Sequence, residues 1–240
     1  MQPSPRHLLF LLALLACSAS PAGASSSDDP LIVGSRGFLD AHPDIRLRER
    51  AGSDYRAKRY REAFNEFKDA ARYADKTSQA MVAEMLWNGQ GTSVDKPLAY
   101  AWIDLAAERG YASLIVQRER YWSELDATQR ARAVSVGEGV YAEYGDAVAK
   151  PRMERELRSA RLAITGSHLG RVGTLAIPGK VRTAPGAAAG IGDMVDVVDG
   201  SRYFDARYWE PAQYWKWQDQ QWRNADSHVE VGAPQSLDGK

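Results

Sequence analysis

One helix-like string is written twice in this sequence: Ala63, Phe64, Phe67, Ala70 and Ala71 return as Ala99, Tyr100, Ile103, Ala106 and Ala107, and Ala70 and Ala106 lie 36 residues apart. A period of this length constrains the fold more than composition does. Each unit carries an apolar face that it cannot bury alone, so neighbouring units must stack. The spacing within the string is that of one helical stripe. Alanine at its close-contact positions lets two helices approach at short interaxial distance.

Around that string the chain between Asp44 and Asp146 is rich in alanine, has aromatics at helical spacing and is broken by short turn signals. This pattern predicts consecutive antiparallel helices over 44–58, 60–74, 77–88, 96–109, 112–123 and 127–144. Pro43 and Asp44 suit a first helical turn, where a missing amide costs nothing and an acid is favoured by the dipole. Asp126 and Gln129 have the spacing of a capping box. Pro151 is expected to open a further helix running to Ile164.

The stretch Leu86 to Gly110, LWNGQGTSVDKPLAYAWIDLAAERG, resembles a SEL-one-like repeat, a relative of the tetratricopeptide repeat. Gly89, Gly91, Asp95, Ala99, Trp102, Ala106, Ala107 and Gly110 carry the resemblance. Leu86, Ala83 and Thr92 depart from it, standing where the family has tyrosine, glycine and valine. The physical reading is compatible: the glycines permit a tight turn, Asp95 can accept from free amides of the next helix, and Trp102 fills space between hairpins. The flanking units are degenerate. In the first, Tyr55, Tyr60, Ala63, Phe67, Ala70 and Ala71 fit, but Glu66 occupies the place of Trp102; residues 112–144 suit a terminal cap. The resemblance implies a short α-solenoid of antiparallel hairpins over residues 38–165 that binds proteins through a concave surface.

The N-terminus reads as an export signal over residues 1–24: Arg6 and His7, an apolar run from Leu8 to Ala16, then Ala22-Gly23-Ala24. The run is shorter than the roughly 20 residues of a permanent span. Cleavage after Ala24 is the expected processing, with lipid attachment at Cys17 as the alternative, since Leu14-Leu15-Ala16-Cys17 resembles a lipobox. Either route directs the protein to the periplasm or the outer membrane, with membrane contact only through a lipid on Cys17. Cys17 is the only cysteine, so no internal disulfide is expected. Residues 25–37 read as a flexible tether and 166–192 as a Gly/Pro-rich linker.

The 31 basic and 31 acidic residues balance, which leaves no field to favour nucleic acid. His42, His168 and His228 are not at metal-ligand spacing, so neither a metal nor a cofactor is expected. Ser167 beside His168 lacks the elbow that positions a nucleophile, and the glycines at 186, 190 and 192 form no phosphate loop. No catalytic residue is identified, and a cell-wall hydrolase is unsupported.

One segment, 193–240, remains to be explained. Tyr203, Phe204, Tyr208, Trp209, Tyr214, Trp215, Trp217 and Trp222 crowd into a few turns of chain. Trp209, Tyr214, Trp215, Trp217 and Trp222 are candidate contacts for a protein partner or an envelope glycan such as peptidoglycan. The same rings can instead pack the tail against the helices. The segment is expected to be irregular or partly β, with a hairpin of 194–198 and 201–204 turning at Asp199-Gly200.

Overall fold

A computed structural model describes residues 28–164, 174–178 and 195–226 of the chain. The signal segment 1–24, Cys17, most of the 166–192 linker and residues 227–240 lie outside the described residues. The described chain is mostly helical. None of its helices is long and apolar enough to cross a membrane.

The chain enters through two short helices, α1 (Pro30–Val33) and α2 (Arg36–Ala41). Asp29 caps the first through the Leu31 amide at 3.0 Å, and the Ser35 hydroxyl caps the second through that of Phe38 at 3.3 Å. A tether was expected over 25–37, on the ground that its own composition cannot build a core. The apolar surface comes from elsewhere: Ile32 and Phe38 are fully buried against the C-terminal aromatic segment.

Three helical hairpins follow. The first is α3 (Pro43–Arg56) with α4 (Tyr60–Ala71), the second α5 (Lys76–Asn88) with α6 (Lys96–Ala106), which ends in a 3-10 turn, Ala107–Arg109. The third pair, α7 (Ala112–Glu124) and α8 (Ala127–Tyr144), is joined by a short turn, and its two helices pack on α6 rather than closely on each other. Their caps follow from the sequence. Asp75 accepts from the Ser78 amide at 2.9 Å, Asp95 from Leu98 at 3.1 Å, and Asp126 with Gln129 forms the complete capping box. The second hairpin packs on the first through α4 and α5, and on the third through α6 with α7 and α8.

Two left-handed residues close the connections between hairpins, Ala74 at φ 62° and Gly110 at φ 77°, and these also lie 36 positions apart. The main core runs through all three hairpins. Ala63, Ala71, Ala99 and Ala106 are fully buried within it, and Phe67, Trp102, Tyr121 and Tyr144 fill the gaps between helices. Burying each large side chain contributes about 1.5 to 3 kcal/mol.

Helix α9 (Asp146–Ile164) starts earlier than Pro151. The Gly145 carbonyl accepts from Val148 and Ala149 at 2.9 and 2.8 Å, which begins the helix five residues upstream. Pro151 then sits in the second turn, where it has no amide to give to the Ala147 carbonyl. The tail also differs from expectation. Strand β2 (Val195–Asp199) pairs antiparallel with β1 (Thr174–Pro178), Thr174 opposite Asp199, and the chain passes at once into α10 (Gly200–Tyr203). Asp199-Gly200 is therefore no hairpin turn, and 201–204 no strand. Two further helices, α11 (Ala206–Trp209) and α12 (Pro211–Asp226), complete the described residues.

Candidate functional site

Every repeat-motif residue serves the hairpins. Gly89 and Gly91 adopt φ of 69° and 73° in the α5–α6 turn. A Cβ on Gly91 would lie 2.2 Å from the carbonyl oxygen of Tyr60, the first residue of α4. The glycine therefore lets the turn of one hairpin rest on the backbone of the hairpin before it. Ala99, Ala106 and Ala107 are buried, and the Trp102 ring meets that of Tyr144 at 4.5 Å. Asp95 adds to its capping bond a forked pair with Arg132, at 2.8 and 2.7 Å.

The aromatic tail turns inward. Trp209, Tyr214 and Trp217 are buried among Phe38, Ile45, Met153 and Leu157, so these three candidate contacts are core and offer no ring face to a partner. Trp215 is half-buried, donates to Glu154 at 3.1 Å, and lies under the charges of Arg109 and Lys150 at 5.1 and 5.2 Å. Trp222 stacks on Tyr111 at 5.1 Å. With these contacts α12 runs as a strap from the start of α3 to the start of α7.

Two buried polar clusters hold the strap. In the first, the His42 ring stacks on Phe38 at 3.8 Å, and its two nitrogens face carbonyl oxygens: Nδ1 that of Phe38 at 2.7 Å, Nε2 that of Tyr208 at 2.9 Å. The buried Asp44 accepts from the Tyr214 hydroxyl through Oδ2, while its Oδ1 has no partner. Arg48 pairs with Asp75 beside them. Burial lowers the His42 pKa, against the raising pull of Asp44 and the two carbonyls. Burial also raises that of Asp44, against the opposing pull of His42.

The second cluster ties α5, α6, α9 and α12. The Lys76 ammonium is wholly enclosed and donates to Gln79 at 2.9 Å, to the Leu105 carbonyl at 3.2 Å and to Glu108. It also lies 3.1 Å from Asp146, which Arg109 grips with two bonds of 2.7 and 2.9 Å. Burial works to raise the Asp146 pKa, but the Arg109 bonds and the Lys76 charge win and hold it well below the carboxylate range. Asp219 of α12 accepts from Tyr111. No sequence motif marks these residues, although one signal was present: Asp95 with Arg132, Asp104 with Tyr141 and Arg109 with Asp146 are all polar pairs 37 positions apart. Partners about one period apart meet across stacked units.

Among the described residues, Glu84 is a half-buried carboxylate with neither a capping bond nor an ion pair. It lies on α5, and burial alone raises its pKa, with no described cation acting on it. Its charge reaches Tyr55 of α3 and Tyr121 of α7, the latter phenol being pushed up to about 12, mainly by burial. Tyr55 donates to Gln90 at 3.0 Å, and Tyr121 accepts from Gln117 at 3.1 Å and stacks on Trp87 at 3.9 Å. Glu84 thus sits on the face of α5 that looks between the first helices of the neighbouring hairpins. A second feature, an open depression of about 330 Å³ beside Val94, Pro97 and Thr128, has its charged lining residues already engaged, Asp95 with Arg132 and Lys96 with Glu124. Among the described residues no group of three or more His, Cys, Asp or Glu could hold a metal.

Comparison with family models, curated proteins and solved structures gives no match to this chain.

Proposed function

We propose that this chain is an exported, non-enzymatic interaction scaffold of the bacterial cell envelope, built from SEL-one-like hairpins stacked as a short solenoid. The observation that carries the reading is the recurrence of one backbone conformation one period apart, Ala74 and Gly110, at the same junction of successive hairpins. Stacked hairpins of this kind generate an extended surface from their first helices, here α3, α5 and α7. Glu84 supports that face as the one a partner covers. A half-buried carboxylate without a counter-charge costs stability, and a partner's cationic or hydrogen-bonding group would offset the cost. The burial of Trp209, Tyr214 and Trp217 moves the binding role from the tail to this face.

The test is photo-crosslinking in the living cell from positions 80, 84 and 117, with position 134 on the exposed side of α8 as control. A discrete adduct from the first three and none from Val134 is the expected result. Equal labelling from all four, or labelling from none, would count against the proposed face. Hydrolysis of a cell-wall polymer by the purified chain, abolished by one polar substitution, would overturn the non-enzymatic reading.

A further inference from the structure

The strap's first cluster contains more titratable groups than a structural anchor needs. Facing His42 and Asp44 are Phe38 of α2, Arg48 of α3, Asp75 at the head of α5, and Tyr208, Trp209 and Tyr214 of the C-terminal segment. Arg48 and Asp75 cancel each other as a direct ion pair. Tyr214 stays neutral, because burial and the neighbouring Asp44 push its phenol far above the usual value. His42 and Asp44 remain, both almost wholly enclosed.

We propose that His42 and Asp44 hold one proton between them whenever the C-terminal segment is docked, and that this proton is the condition for docking. A carbonyl oxygen only accepts, so the two that face the ring call for two N–H donors; burial by itself works against a charged ring, and it is these two bonds and the Asp44 counter-charge that keep the proton on the imidazole. Without that proton, Asp44 is a lone buried carboxylate with an unpartnered Oδ1, and one carbonyl meets a bare ring nitrogen. With a second proton on Asp44, the imidazolium loses its counter-charge. The proton belongs to the pair, and docking widens the pH range over which the pair keeps one.

The released segment has no such restriction. There the two groups titrate near their ordinary values, about 3.9 and 6.5. Above about pH 6.5 the released pair holds no proton, and below about pH 3.9 it holds two. The docked pair holds one on both sides, so docking weakens in both directions. The equilibrium constant for opening rises by up to about tenfold per pH unit on each limb. The sign is fixed by proton count: closing takes up a proton in mild alkali and releases one in acid. The three hairpins have a core of their own and stay folded when the strap opens.

Ring-nitrogen NMR of the full-length, nitrogen-15-labelled chain tests this, together with hydrogen-exchange protection of the 206–222 amides across pH. His42 should show two protonated nitrogens, unchanged between about pH 4.5 and 7.5, a range that spans the ordinary imidazole value near 6.5. Protection should peak within that window and fall on both sides. A His42 that titrates near 6.5, or protection of the segment that is flat in pH, would overturn the proposal. Asp44→Asn keeps an acceptor for Tyr214 but removes the charge. It should abolish the alkaline limb and move the acid limb up toward about pH 6.5. An unchanged alkaline limb in that variant also overturns the proposal. If the variant does not fold, the wild-type profile decides.

Discussion

Gly91 and Gly110 share a left-handed backbone and are expected to respond very differently to alanine. At Gly110 an added Cβ meets nothing within 4 Å, so Gly110→Ala should cost only the conformational penalty, about 1 to 2 kcal/mol. At Gly91 the same penalty is joined by a clash with the Tyr60 carbonyl, which can be relieved only by parting two hairpins. Gly91→Ala should therefore cost more than about 3 kcal/mol, the range of strained or overpacked core changes. Urea unfolding of the two variants measures the difference. Glu84 gives a prediction of the opposite sign. Its folded pKa is raised, so the ionised form is disfavoured in the native state above that value. Glu84→Gln should stabilise the free protein at pH 7, read as a rise in the urea midpoint. The gain should shrink as pH falls and wild-type Glu84 takes up its proton. A stabilising change at the proposed contact face that also lowers crosslinking would mark a site kept for binding at the expense of stability.

Helices are held here by their caps and junctions as much as by apolar stripes. Lys76 serves α5, α6 and α9 at once, so Lys76→Ala should leave Glu108 unpaired and cost about 3 to 5 kcal/mol, measurable as a large fall in the thermal midpoint. Lys76→Met fills the space but also strands the acid, and should recover only part of that loss. The six hairpin helices were legible in the sequence because period, cap and turn signals all agreed. Asp95, Gly89 and the Asp126–Gln129 box do locally what the sequence says they do. The elements that were not legible depend on distant partners. Ile32 and Phe38 lie in a short stretch that has no core until the tail arrives, and the start of α9 is set by Asp146, whose partner Arg109 is 37 positions away. Glu84 could not be singled out from sequence, since an unpaired acid is recognised only by which cations fail to reach it. His42 could be seen, but its two carbonyls come from residues 4 and 166 positions away.

The molecule as a whole has two cores, one through the hairpins and one where the tail covers α2, α3 and α9. Deleting residues 200–226 should leave α3 to α8 helical by circular dichroism while exposing Phe38, Ile45, Met153 and Leu157 as one apolar patch. The expected outcome is a chain that self-associates, seen by light scattering, because patches of this kind are rarely left open on a monomer. Acid should act in stages. Asp146, with its depressed folded pKa, contributes stability that is present above its unfolded value of about 3.9 and is lost only as pH falls through the lower folded one. The Lys76 junction should thus outlast the His42 strap during an acid titration followed by tryptophan fluorescence and circular dichroism together. One carboxylate completes this picture. Asp28 accepts from Trp217 at 2.7 Å and from Gln221 at 2.8 Å, which brings the first described residue beside the last described helix. The two ends of the described chain therefore lie on the same side of the tail core. Residues 28 and 226 joined by a short flexible linker, with a new opening cut between α7 and α8, should give a circular permutant with the native tertiary signature.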